Sequence, residues 1–186
     1  MRREEALKIL QQNLENQNLR RHCFAVEACM RALAQRFEED EKMWGIVGLI
    51  HDADYEKTKD NPKEHTRLTA QWLKEAGEDE RIIAAILSHN FDYREENPPQ
   101  TKMDWSLYCC DELTGFIVAV ALVRPDRKLS SVTVESVLKK FPEKAFAAAV
   151  KREQIQKCER QLSISLPEFV KLCLIAMQEI AADLGL

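Results

Sequence analysis

Four histidines are all that this chain of 186 residues possesses, and each falls where a polar ring is out of place. His22 is followed by Val26, Cys29, Met30 and Leu33, so it rides on the apolar stripe of a helix. His51 closes the apolar turn Val47-Gly48-Leu49-Ile50 and is followed by Asp52. His65 precedes Leu68, Trp72 and Leu73 on an inner face, His89 shares its face with Ile82 and Ile86, and Asp111 lies between Leu107 and Val118. A buried carboxylate without a partner is costly, and a buried imidazole needs its hydrogen bonds met. A metal ion answers both needs: it binds neutral imidazole nitrogens and carboxylate oxygens, and its charge offsets the acids. A lone histidine on an apolar face is more often a hydrogen-bonded core residue. Six polar side chains turned inward together ask for a cation.

Such a centre needs stiff elements that converge, and the apolar spacing supplies helices almost throughout. The pattern predicts helices over about residues 2–15, 18–37 and 40–51, then a polar loop. Asn61 as N-cap with Pro62 at the first helical position predicts a helix to about Ala76, stopped at Gly77. That helix would hold His65 in its first turn, where the dipole disfavours a protonated imidazole. Asp79 caps a helix to His89, residues 90–101 read as a loop, and a long helix follows over 102–123. Further helices are expected near 132–140, 142–149, 151–161 and 166–184. The expectation is an all-α chain forming one domain over 1–186, with a ligand-bearing core at about 18–125 and C-terminal helices at 126–186 packed on it.

Composition supports this and removes other classes. Only 5 glycines and 6 prolines fit helices better than turn-rich β folds. A net charge of −4 with acids and bases interspersed gives no bulk grip on nucleic acid. The longest apolar run, Phe116 to Val123, is too short to span a bilayer, and the acids in Met1-Arg2-Arg3-Glu4-Glu5 do not suit a signal peptide, so a cytoplasmic protein is expected. The 6 cysteines form no CxxC pair and read as reduced thiols packed as small apolar groups.

The order His22, His51-Asp52, His65, His89, Asp111 resembles the H…HD…H…H…D signature of the HD-domain superfamily. The stretch Gly45-Ile46-Val47-Gly48-Leu49-Ile50-His51-Asp52-Ala53-Asp54-Tyr55 looks like its HD segment, and Cys110-Asp111-Glu112-Leu113-Thr114-Gly115 like the segment of its last aspartate. Ala53-Asp54 departs from the Ile-Gly of the HDIG subset. The resemblance implies a metal-dependent phosphohydrolase acting on a small phosphorylated substrate, a nucleotide among the candidates. It also implies two divalent ions, Mn or Fe first and Zn, Co, Ni or Mg next. On this reading His22, His51, Asp52 and Asp111 hold the first ion. Asp52 bridges to a second that His65 and His89 complete, with His51 and Asp52 at the catalytic heart. Two such ions, roughly 3.5–4 Å apart, activate a water as the attacking hydroxide and hold phosphoryl oxygens. A mixed-valence di-iron oxygenase uses the same ligand order, and a non-catalytic signalling module shares the same fold.

Substrate contacts are less marked. Lys57 in the loop after Asp52, Arg124 beyond the long helix and Arg21 beside His22 are the candidate phosphate-binding cations, with Lys59, Arg127 and Lys128 as neighbours. Asp54 and Glu112 read as supporting or surface acids, and Trp44, Trp72 and Trp105 as core.

Overall fold

Eleven α-helices and one short 3-10 turn make up the chain, with no strand, in a computed structural model that describes Met1–Leu186. The helices are α1 (Arg3–Asn13), α2 (Gln17–Phe37), α3 (Glu41–Ile50), α4 (Tyr55–Thr58), α5 (Arg67–Glu75), α6 (Glu80–His89), α7 (Lys102–Leu122), α8 (Val134–Lys140), α9 (Arg152–Leu162), α10 (Leu166–Glu179) and α11 (Ala181–Leu184). Their starts follow from local chemistry. Asn16 accepts from the N–H groups of Asn18 and Leu19, Asp40 from Lys42 and Met43, and Asp79 from Arg81. Thr101 and Asp104 form a reciprocal capping box on α7.

The long helices α2 and α7 lie at the centre. α3 packs closely along α2, α6 bridges α3 and α7, and α9 and α10 cover α7 and α2 from the other side. Gly48 is what lets α3 approach. A Cβ there would stand 2.8 Å from the Val26 carbonyl oxygen and 2.9 Å from the Glu27 backbone. One continuous buried apolar cluster runs from Ala6 to Leu184, and Phe169, Val170, Cys173 and Met177 of α10 belong to it as fully as Val26, Leu33 and Phe116 do. α7 is long and apolar enough to cross a membrane by length and composition, but it is the core helix here, buried on most sides and carrying Asp104, Asp111 and Glu112.

Three expected elements differ. The helix predicted from Pro62 begins at Arg67 instead; residues 62–66 form successive turns, and Thr66 has φ +73°. His65 therefore stands before the helix, not in its first turn. The predicted helix at 142–149 is a string of turns, with Ala147 at φ +43°. Arg152 explains it: its guanidinium donates to the carbonyls of Phe141, Glu143, Phe146, Ala147 and Val150 and lies 4.9 Å above the Phe116 ring. Those carbonyls find a cation in place of a helix ladder. The last helix breaks at Ile180, leaving α11 as a separate turn. The six cysteines are all buried and unpaired, as their spacing suggested.

Candidate metal centre

Five elements deliver six side chains to one place. His22 comes from the first turns of α2, His51 caps α3, Asp52 follows in the tight turn 51–54, His65 precedes α5, His89 ends α6 and Asp111 sits midway along α7. The four imidazoles stand edge to face in a row. Ring centroids are 5.2 Å apart for His22–His51, 4.9 Å for His51–His89 and 5.4 Å for His89–His65. Asp111 Oδ1 is 2.8 Å from His22 Nε2 and 3.4 Å from His51 Nε2. Asp52 Oδ1 is 3.1 Å from His65 Nε2, 3.5 Å from His89 Nε2 and 3.6 Å from His51 Nε2, while its Oδ2 lies 3.9 Å from His22 Nε2. Asp52 thus spans both ends of the row.

The outer nitrogens show which way each ring is set. His51 Nδ1 lies 2.8 Å from the Gly48 carbonyl, which can only accept, so Nδ1 carries the proton and the Nε2 lone pair points inward. The Thr114 hydroxyl donates to the Asp111 carbonyl at 2.8 Å and so accepts from His22 Nδ1 at 3.2 Å. His65 Nδ1 donates to Asp54 Oδ1 at 2.8 Å. Three of the four rings are therefore locked by an acceptor behind them, the arrangement that directs the other nitrogen to a metal. His51 Nε2 and Asp52 Oδ1 are buried without a hydrogen-bond partner. A lone pair facing carboxylate oxygens needs a cation between them, so the residues fit a metal ion. Two overlapping sets, His22–His51–Asp111 and His51–Asp52–His89, each bring their ligand atoms within 4.8 Å of one another.

Without a metal, protons fill that need. Burial opposes the charge on His22, but the Asp111 hydrogen bond and charge outweigh it and lift its pKa to about 9. Burial likewise opposes the charge on His65, and Asp52 and Asp54 together raise it to about 10. Burial would raise Asp52 and Asp111, yet the surrounding imidazoles hold both carboxyls well below the usual range.

The candidate substrate cations have partners outside the six side chains. Lys57 donates to Asn13 Oδ1 at 2.6 Å and lies over Trp72, on the α1 side. Arg21 packs its guanidinium over Gly185 at the far end of the chain. Arg124 bonds Ser131, and at 1.5 Å per residue it lies roughly 20 Å along α7 from Asp111. Trp44 is buried as expected, while Trp72 and Trp105 sit at the core's edge. Asp54 proves to be a fully buried support: besides His65 it accepts from the N–H groups of Thr66 at 3.1 Å and Thr69 at 3.2 Å. It thereby caps α5 from a distance. Thr114 was detectable in the sequence, one turn beyond Asp111 on the same face of α7.

An all-α scaffold gathers four imidazoles and two carboxylates into a cluster that could hold a metal ion. The chain belongs to the HD domain family, whose model matches residues 19–121, more than half of its length. Members of that family are typically metal-dependent phosphohydrolases. No curated protein and no solved structure matches the chain.

Proposed function

We propose that this protein is a metal-dependent phosphohydrolase that cleaves a phosphomonoester or phosphodiester of a small molecule, a nucleotide among the candidates, at a dinuclear centre. The observation that carries it is the buried, unpartnered Nε2 of His51 facing the carboxylates of Asp52 and Asp111. His22, His51, Asp52 and Asp111 would hold one ion, and Asp52, His65 and His89 a second, with Mn or Fe first and Zn, Co, Ni or Mg next. When bound, such ions supply a water of lowered pKa and positive charge against phosphoryl oxygens. The chain supplies the rest: Gly48, Thr114 and Asp54 hold the rings in the ligating tautomer, and the apolar wall of α2, α3 and α7 keeps the site stiff. No side-chain nucleophile competes. Burial, then the charges of Asp52 and Asp111, push the nearby Cys23 thiol well above its usual pKa, leaving it inert. Six free, buried thiols also suit a reducing, cytosolic location.

The test is a screen of nucleotide, sugar and diester phosphates with protein reconstituted anaerobically with Mn²⁺ or Fe²⁺. The expected result is metal-dependent release of phosphate or a phosphomonoester that continues without oxygen. Turnover that consumes oxygen and releases neither product would overturn the reading in favour of a di-iron oxygenase.

A further inference from the structure

The C-terminal third reaches the chain beside the cluster at Lys151, the residue just before α9. Its backbone N–H donates to Glu112 Oε2 at 3.1 Å, and Glu112 adjoins the ligand Asp111. Its ammonium lies 3.0 Å from Asp92 Oδ2 and 5.0 Å from the centroid of the Tyr93 ring, in the turn that leaves the ligand His89. Lys151 therefore touches chain next to two ligands on two different helices, and its side chain is 40% exposed. It lies outside the residues that the family model matches. Asp92 does not depend on it, because the Tyr108 hydroxyl donates to Oδ1 at 2.6 Å and the Gln154 amide to Oδ2 at 2.7 Å. If the ammonium leaves, the carboxylate keeps two donors. An ion pair this open to water adds little to stability, and a hydrated point charge on a flexible four-carbon stem is well suited to a phosphate.

We propose that Lys151 is the specificity-determining cation of the site, exchanging Asp92 for a non-bridging phosphate oxygen of the substrate. This rests on the phosphohydrolase reading above. The experiment measures the affinity of Mn²⁺-loaded protein for inorganic phosphate by calorimetry, together with KM and kcat on a phosphoester that the wild type hydrolyses. Manganese content and Tm are recorded alongside. Lys151→Ala is expected to weaken phosphate binding and raise KM by roughly 10- to 100-fold, as loss of a hydrogen bond to a charged group does. Manganese content should stay at the wild-type level, and Lys151→Arg should recover most of the loss. Asp92→Asn, which removes the competing anion, should tighten phosphate binding, and the exposed Lys144→Ala should change nothing. A lower Tm in Lys151→Ala with phosphate affinity and KM intact would show a purely structural pin and overturn the proposal alone. A wild type that binds no phosphate and hydrolyses no phosphoester overturns the underlying reading with it.

Discussion

At the scale of single residues, the centre is set by what stands behind each imidazole as much as by the ligands. Asp54 fixes the His65 ring and two backbone N–H groups at once. Asp54→Asn should therefore weaken the second ion by roughly 10- to 100-fold, the usual effect of losing such a support. Asp52→Ala should abolish both ions, whereas His65→Ala and His89→Ala should each reduce mainly one; elemental analysis of the four variants checks this, and equal loss in all would refute the bridge. Metal uptake must also displace protons. With His22 at about 9 and His65 at about 10 in the metal-free protein, both rings are charged at neutral pH. Apparent Mn²⁺ affinity should then climb with pH to about 9 for the ion that His22 would hold and to about 10 for the one that His65 would hold, and flatten above, with about one proton released per site near neutrality. Titration calorimetry in buffers of different ionisation enthalpy reads that number, and proton-free binding would contradict it. The six clustered side chains were legible in the sequence because a polar side chain inside an apolar helical pattern is conspicuous. The full burial of Asp54 and the position of Lys151 were not, since each lies in a loop that depends on how distant elements close.

At the scale of elements, the crossing of α2 and α3 decides whether His51 meets His22. Gly48→Ala pushes a methyl against backbone atoms of Val26 and Glu27, which have no side chain to swing away. The expected cost is about 1–3 kcal/mol, measured by urea unfolding, together with weaker metal binding as His51 is carried off its mark. An unchanged midpoint would mean that the helices are not held as closely as described. Helix positions were read correctly along α1 to α3 and α6 to α7, where caps and apolar spacing agree. At 62–66 and 142–149 tertiary partners outweigh local signals, and turns replace the expected helix. In the first, Asp54 draws the backbone N–H groups of Thr66 and Thr69 and delays α5; in the second, Arg152 gathers the carbonyls. Neither partner lies within the segment that it reshapes, so no local pattern could reveal it.

At the scale of the whole molecule, the helices after Arg124 finish the core that the six clustered side chains stand on. α9 lies along α7, and α10 lies against both α2 and α7; Cys29 meets the Cys173 carbonyl of α10 at 3.7 Å, and Phe116 packs edge to face on Phe141 and Phe146. Truncation after Pro125 should give an aggregating chain; a soluble, metal-loaded fragment with a cooperative melt would show that these helices are an appendage. The central claim, that six side chains form a metal centre, is most directly tested by anomalous diffraction from crystals of the full chain grown with Mn²⁺. One peak is expected between His22, His51, Asp52 and Asp111, and a second between Asp52, His65 and His89. A map without anomalous signal there, with His51 Nε2 and Asp52 Oδ1 paired only to protein atoms, would contradict it.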